Sequence, residues 1–453
     1  MKSASRAVVF ATAAALLVSS PAKAADYAIV VSTATYQDAA WRRVVDALQQ
    51  KHQGRVFRYT TSVDQSLPDL QAWHPRYTCF VATPDEATRE FVANVHRMTR
   101  RYDEDPYTDT LWGIVTGWDA TAALAIAQHD QPLVIHKVAA GTEFALEACT
   151  EGRWYDELVP GKQVHKLPGG DIETRKGPID STASLVETLN EYQPDLFITS
   201  GHATERDWMI GFTYRNGFFR SQAGQMWGED THSKRHEIRS TNPKVYMAVG
   251  NCLMGHIDGP DAMALAWMHS VGVKQMIGYT VPTWFGYAGW GCLDYFVEQP
   301  GRYTFAEAFL ANHHALIHRL QTAAGQEQRG LLFDRDVLAF YGDPKWEARL
   351  AEAPRAYEQQ LTIDDDRYTF TVTPQRGAHS FQPVNTNGSQ RGWRPIIHFL
   401  PHRVTEIRIL EGQDLQPVVA DDFVLIPNPR RCDPARQYRV VFQAQTVADM
   451  ARQ

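Results

Sequence analysis

Short apolar runs alternate with amphipathic segments along residues 25–352. Runs such as YAIVVS and DLFITS have the length and β-branched content of buried strands, whereas AAWRRVVDALQQKH and EATREFVANVHRMTRR carry apolar residues at helical spacing. Strands that alternate with helices are typical of parallel sheets covered by helices on both faces. The pattern therefore predicts an α/β fold built on one large sheet or on two abutting sheets.

The character of the chain changes after residue 352. Runs such as YTFTVT, IIHFL and FVLIPNP are short, rich in β-forming residues and separated by Pro, Gly, Asn and Asp, without a long helical period. This spacing is typical of a small antiparallel sandwich. We therefore divide the chain into a leader over 1–24, an N-terminal α/β part over 25–140, a second α/β part over 141–352 and a C-terminal β-sandwich over 353–453.

The first residues have the organisation of an export signal. A basic start precedes an apolar stretch from Ala7 to about Val18, and Ala22 and Ala24 are the small residues that precede a cleavage point. The stretch is shorter than the roughly 18 to 20 apolar residues that a membrane anchor needs. We expect cleavage after Ala24 and a secreted or periplasmic protein that does not reside in a membrane.

Charge and cysteine content narrow the classes of function. The formal net charge of −7 is small for 453 residues, and no cluster of Lys and Arg interleaved with aromatic residues indicates a nucleic-acid partner. The cysteine count is odd, so at least one thiol is unpaired in a compartment that permits disulfides. The other cysteines either form up to two bridges or are small buried residues; the five are Cys79, Cys149, Cys252, Cys292 and Cys432.

Two predicted strands end on reactive side chains. DLFITS is followed by Gly201 and His202, and KVYMAVG is followed by Asn251 and Cys252. In open α/β sheets, functional groups collect beyond the carboxyl ends of the strands. If the two strands are neighbours, an imidazole and a thiol meet at one edge, where the imidazole helps to form the nucleophilic thiolate. The alternative is a structural cysteine and a loop histidine.

Acyl transfer also needs donors for the oxyanion of its tetrahedral intermediate. The backbone amides of Ala203 and Cys252 are the natural sources at these two turns. The residues thus predict a Cys252/His202 dyad with an oxyanion hole.

The same residues resemble a known family. TSGHATERDW followed by VYMAVGNC is similar to the gingipain-type cysteine peptidases, relatives of caspases and legumains, whose catalytic His ends one strand and whose Cys ends the next. The segments VKQMIGYTVPTWFGYAG, DEDPYTD and LAFYGDP resemble further parts of that family. The resemblance implies a caspase-like sheet, an immunoglobulin-like C-terminal sandwich, and a secreted endopeptidase that forms a thioester on Cys252 without a cofactor or a metal.

The chain also departs from the family. Ala203 stands where the family usually has Gly, and Asn251 stands where it usually has Ala. If Ala203 had to adopt a positive φ, its Cβ would cost about 1 kcal/mol or more. A homologue that binds proteins or peptides without cleaving them is therefore the alternative function.

Other residues have a functional and a structural interpretation. The resemblance implies Trp284 as a wall of the substrate side-chain pocket, against an aromatic of the core. Asp105 and Asp109 are candidates to bind a cationic substrate side chain or to orient His202, against capping or loop solvation.

Four further residues are weaker candidates for a functional role. His256 is a rival imidazole, and Cys292 is expected to be packed or bridged. His314 and His318 have the i, i+4 spacing of a metal site, but no Glu follows His314, so we expect a solvated helix face there.

Overall fold

The computed structural model describes residues 26–385 and 387–447. The predicted leader, 1–24, lies outside the described residues. Within them, no helix is long and apolar enough to cross a membrane.

The N-terminal part begins the alternation of strands and helices that the apolar runs predict. Its strands are β1 (Tyr27–Ser32), β2 (Arg55–Tyr59), β3 (Tyr77–Val81), β4 (Leu111–Val115), β5 (Leu133–Ile135) and β6 (Lys137–Ala140). Its helices are α1 (Thr33–Gln37), α2 (Ala39–His52), α3 (Leu67–Trp73), α4 (Arg89–Met98) and α5 (Ala120–Ala127).

The middle part continues the alternation and adds antiparallel hairpins. Its strands are β7 (Glu151–Tyr155), β8 (Lys162–Lys166), β9 (Ile172–Lys176), β10 (Leu196–Thr199), β11 (Asp207–Met209), β12 (Phe218–Gln222), β13 (Gln225–Glu229), β14 (Arg235–Glu237), β15 (Lys244–Ala248), β16 (Val273–Tyr279), β17 (Leu338–Gly342) and β18 (Ala348–Leu350). Its helices are α6 (Thr182–Glu187), α7 (Met263–Ser270), α8 (Tyr287–Phe296), α9 (Phe305–Leu320) and α10 (Gly325–Asp334).

One central sheet spans both α/β parts. Its twelve strands have the order β2-β1-β3-β4-β17-β16-β15-β10-β6-β7-β8-β9. Neighbours are parallel except at β16–β17, β7–β8 and β8–β9. Strands such as β1, β4 and β15 are buried at every position, which is why they are continuous apolar runs in the sequence. The predicted α/β class with a mostly parallel sheet flanked by helices is confirmed.

The C-terminal region forms two small antiparallel sheets. Its strands are β19 (Tyr357–Asp364), β20 (Arg367–Pro374), β21 (Ile396–Phe399), β22 (Val404–Glu411), β23 (Val418–Val419), β24 (Phe423–Ile426) and β25 (Tyr438–Thr446). The sheet β19-β20-β25-β22 shares a core with the sheet β21-β24-β23, including Phe370, Val424 and Phe442. The opposite face of β24, with Phe423 and Leu425, joins the core of the α/β body. The central strand of the smaller sheet, β24, is therefore buried on both faces.

This docking corrects the expected environment of the α9 histidines. His314 is fully buried, with its ring centroid 4.3 Å from that of Phe423, and burial lowers its pKa to about 3. His318 is half-buried. The helix face is covered because β24 packs on it, so a solvated face was the wrong expectation.

The cysteines are unpaired. All five are free thiols, and Cys79, Cys149 and Cys292 are buried. The sequence left open whether the other four cysteines form disulfide bridges. In the structure they do not.

Candidate active site

The two strands that precede His202 and Cys252 are neighbours in the central sheet. Strands β10 and β15 pair in parallel, with Thr199 opposite Ala248 at their carboxyl ends. Both strands therefore end at the same edge of the sheet. His202 and Cys252 line one cavity of about 390 Å³ beyond that edge.

A buried chain of hydrogen bonds connects the two turns. The Tyr246 hydroxyl lies 2.7 Å from Thr199 Oγ1, and Thr199 donates to Asn251 Oδ1 at 2.6 Å. Asn251 Nδ2 in turn donates to the carbonyl oxygen of Gly201 at 3.1 Å. Asn251 is fully buried. The side chain of Asn251, directly before Cys252, thus holds the backbone of Gly201, directly before His202.

The backbone around His202 is fixed on both sides. Gly201 has a φ of +94°, which favours glycine, and the Met209 amide donates to the His202 carbonyl oxygen at 2.9 Å. The His202 ring stacks on Phe212, with a centroid distance of 4.7 Å and an interplanar angle of 28°. Among the described residues, no side chain forms a hydrogen bond with this ring. An aromatic face therefore orients the imidazole where many sites use a carboxylate.

Cys252 differs from the buried cysteines in its surroundings. It is half-buried, and its thiol donates to the carbonyl oxygen of Thr283 at 3.6 Å. Burial raises the pKa of Cys149 to about 12 and raises the pKa values of Cys79 and Cys292 as well. These three thiols are therefore held in the unreactive protonated form, whereas Cys252 opens onto the cavity.

The two backbone amides predicted as oxyanion donors are not used in other hydrogen bonds among the described residues. Within the described part of the chain, the amides of Ala203 and Cys252 donate to no protein acceptor. Ala203 is not among the residues with positive φ, because Gly201 takes the left-handed position in this turn. Ala203 therefore occupies this turn without the strain of a positive φ.

A buried carboxyl that sequence reasoning missed also lines the cavity. Glu157 follows β7 and is 5% exposed. Its Oε1 accepts a hydrogen bond from the Thr142 hydroxyl at 2.7 Å, while its buried Oε2 has no protein partner. Burial raises the pKa of Glu157 to about 7. Asp156-Glu157 directly follow the strand sequence EGRWY, in which charged residues interrupt the apolar ones, so no local pattern indicates this position.

Apolar side chains form the rim of the cavity. Trp284 lines the cavity and is 52% exposed. Its ring centroid lies 5.5 Å from that of Phe285 and 5.9 Å from that of Phe333. Leu158 and Phe212 also line the cavity and are 41% and 47% exposed. Such a rim offers contact area to the apolar parts of a ligand.

The structure does not bring Asp105 and Asp109 to this cavity. They cluster with Asp103 in the segment that enters β4, which is three strands away from β15 in the sheet, or about 14 Å at the usual strand spacing. Burial, with the nearby Asp103 carboxylate, raises the pKa of Asp105 to about 6 and that of Asp109 to about 9. Asp109 Oδ2 accepts from the Tyr102 amide at 2.7 Å, a structural contact within the loop between α4 and β4.

The rival nucleophile and base lie elsewhere as well. His256 Nδ1 pairs with Glu205 Oε1 at 3.1 Å and does not border the cavity. The buried Cys292 thiol donates to the Ala288 carbonyl oxygen within α8 at 3.2 Å.

Potential metal ligands gather away from the cavity. In the part of the chain that the structure describes, three groups have ligand atoms within 4.8 Å of one another, and all have protein partners, such as the Arg100 guanidinium at 2.6 Å from Asp336. We assign no metal to them. The groups are His96 with His313 and Asp336, His74 with Asp103 and Asp421, and Asp103 with Asp105 and Asp109.

The fold and the site together define an α/β protein in which a histidine, a cysteine and a buried carboxyl border one cavity at a sheet edge. No family model and no curated protein matches the chain. Among solved structures, the chain is similar to the crystal structure of the Arg-specific cysteine proteinase gingipain R, with 11% identity, a TM-score of 0.48, and coverage of 95% of this chain and 94% of that one. It is also similar to a complex of the pro- and mature domains of RgpB from Porphyromonas gingivalis, with 10% identity, a TM-score of 0.48, and coverage of 93% and 94%.

Proposed function

We propose that this protein is a cysteine endopeptidase in which Cys252 is the nucleophile and His202 transfers the protons. The observation that supports this most is the parallel pairing of β10 with β15, because it delivers both side chains to one cavity. The caspase-like description of the sheet and the immunoglobulin-like description of the sandwich belong to the same proposal.

The chemistry is an acyl transfer through a thioester. His202 accepts the thiol proton, and the Cys252 thiolate attacks the carbonyl carbon of the scissile bond. The amides of Ala203 and Cys252 donate to the oxyanion that forms. The intermediate collapses to the thioester when His202 protonates the departing amine, and a water deprotonated by His202 then hydrolyses the thioester. The reaction requires no cofactor and no metal.

We assign the recognition of the substrate side chain to Glu157 in place of Asp105 and Asp109. A carboxylate in a partly dry pocket pairs well with a cation, so the residue before the scissile bond is Arg or Lys. The partner-free Oε2 of Glu157 is the acceptor for this cation. Trp284 and the rest of the apolar rim contact the stem of that side chain and the neighbouring residues of a protein or peptide substrate.

Covalent labelling tests the assignment of the nucleophile. An acyloxymethyl ketone that carries an arginine residue is expected to modify Cys252 in the parent protein and to leave the Cys252→Ala variant unlabelled. Cys432→Ala is the matched control, because Cys432 is the other half-buried free thiol. Labelling that persists in Cys252→Ala would refute the assignment. Binding of peptides with neither labelling nor cleavage would establish the alternative, a non-catalytic binding protein.

We further propose that the protein is exported and acts outside the cytoplasm. The basic start, the apolar stretch and the small residues before Ala25 support cleavage after Ala24. N-terminal sequencing of the protein from the secreted or periplasmic fraction is expected to begin at Ala25. Retention of Met1 on exported protein would contradict this proposal.

A further inference from the structure

One wall of the cavity comes from the C-terminal region. Residues 387–394, which precede β21, pack on the α/β body, where Asn387, Gly388 and Ser389 line the cavity together with His202 and Cys252. We call residues 387–394 the wall segment. In the sequence, Asn387-Gly388-Ser389 is a plain turn or a glycosylation pattern and gives no hint of this position.

Buried ion pairs fix the wall segment to α8. Arg391 Nε donates to Asp294 Oδ1 at 2.6 Å, and Arg391 Nη2 donates to Glu298 Oε1 at 2.9 Å. Arg394 Nε donates to Asp294 Oδ2 at 2.9 Å. All four side chains are buried. Arg391 Nη1 also donates to the Asn387 carbonyl oxygen at 2.9 Å, so the anchor reaches the residue that borders the cavity.

The indole of Trp290 connects the wall segment with the turn before Cys252. Gly388 has a φ of +94°, and a Cβ there would lie 2.4 Å from the Trp290 ring. On the other side, a Cβ at Gly250 would lie 3.1 Å from Trp290 Nε1. The guanidinium of Arg391 lies 5.1 Å from the centroid of the same ring. The wall segment therefore packs closely against the catalytic edge of the body.

We propose that the wall segment is a specificity-determining part of the substrate site, so that the C-terminal region takes part in recognising the substrate side chain. A guanidinium has five N–H donors in one plane, more than one carboxylate can satisfy. Asn387 and Ser389, which line the same cavity as Glu157 and carry side-chain oxygens, supply the further acceptors. The inference rests on the proposed function, since it assumes that Glu157 receives a cationic side chain.

Ligand binding to full-length Cys252→Ala protein tests the inference without turnover. The probes are acetyl-Ala-Ala-Arg and acetyl-Ala-Ala-citrulline, which has a neutral side chain of similar shape, and the dissociation constants are measured by calorimetry. Asn387→Ala is expected to weaken binding of the arginine peptide about fivefold, the effect of one lost hydrogen bond. The citrulline peptide should bind weakly to both proteins.

The anchor is tested by a conservative change with a matched control. Arg391→Lys keeps the charge but loses the two-pronged contact with Asp294 and Glu298, and it is expected to weaken binding of the arginine peptide at least about fivefold. The control is Arg76→Lys, the same exchange at another contact between the α/β body and the C-terminal region. There, Arg76 Nη1 donates to the Leu400 carbonyl oxygen at 3.1 Å, outside the cavity. This control should stay within about twofold of the parent affinity.

Three outcomes would overturn the inference. The first is parent-like affinity in both Asn387→Ala and Arg391→Lys. The second is an equal loss in Arg76→Lys, which would indicate a general effect of domain docking. If Arg391→Lys does not fold, the result for Asn387→Ala decides. The third concerns turnover. If the parent protein cleaves arginyl peptides and the Asn387→Ala variant cleaves them with the same KM, the inference is refuted and the proposed function remains intact.

Discussion

Glu157 and Asp109 are both buried carboxyls with raised pKa values, but they belong to different regions of the molecule. Glu157 borders the cavity that also contains His202 and Cys252, and one of its oxygens has no protein partner. Asp109 lies in an acidic cluster before β4, where it accepts a backbone amide. A buried carboxyl with a raised pKa therefore occurs in both regions. Only access to the cavity that His202 and Cys252 border distinguishes the candidate binding group from the structural one.

The largest effect is expected from the dyad itself. Cys252→Ala should abolish peptide cleavage while it changes the free energy of unfolding by about 1 kcal/mol or less, since it leaves no large cavity. His202→Ala should also abolish cleavage, and the double variant should be no worse than either single one, because the two residues act as a unit. Peptidase assays and thermal unfolding measure these effects.

The matched control for the dyad is His256→Ala. It removes an imidazole near Cys252 in the sequence that is paired with Glu205 outside the cavity, so most activity should remain. An active Cys252→Ala protein, or an inactive His256→Ala protein of normal stability, would contradict the assignment.

The next effect compares the two carboxyls directly. Glu157→Gln should raise KM for an arginyl peptide about 10- to 100-fold, the range for loss of a hydrogen bond to a charged group, with a smaller change in kcat. Asp109→Asn should leave KM unchanged, because Asp109 does not border the cavity. Steady-state kinetics on arginyl and citrullinyl substrates decide between them. An equal rise in KM for both variants would remove the distinction between the two regions.

The strand ends were predictable from the sequence because their signals are local. A continuous apolar run followed by Gly-His, and another followed by Gly-Asn-Cys, identify two buried parallel strands and the reactive side chains beyond them. The antiparallel pair of sheets was predictable for the same reason, since short strands between turn residues have their own pattern.

The remaining parts of the site depend on contacts between distant segments. Asn387 reaches the cavity because buried arginines hold its segment on α8, and no pattern around Asn387 indicates that. His314 is buried because β24 covers α9. Asp105 and Asp109 were attractive as an acidic pair, but their distance from Cys252 is set by the strand order, which apolar runs do not specify.

A smaller effect is expected where the turn that carries His202 and the turn that carries Cys252 are hydrogen-bonded to each other. Asn251→Ala removes the link from Thr199 to the Gly201 carbonyl oxygen and should lower kcat about tenfold, because His202 and Cys252 lose their fixed relative position. KM should change less, since Asn251 does not line the cavity. Asn251→Asp retains the acceptor for Thr199 and tests the contribution of the donor alone. A rise in KM with unchanged kcat would refute this positioning role.

The last comparison is the pH dependence of stability, which separates the two carboxyls once more. Burial raises the pKa of Glu157 from 4.5 to about 7 and that of Asp109 from 3.8 to about 9. A raised carboxyl pKa means that the folded protein binds more protons than the unfolded chain between the two values, so stability falls as pH rises through that interval. Relative to Glu157→Gln, the parent should lose up to about 1.4 kcal/mol per pH unit between about pH 5 and pH 7 and nothing further above it. Relative to Asp109→Asn, the loss should continue to about pH 9, as denaturant unfolding across this range would measure. If the difference in free energy of unfolding between parent and variant changes with pH in the same way for both variants above pH 7, the two carboxyls share one environment. That result would contradict the comparison drawn from their positions.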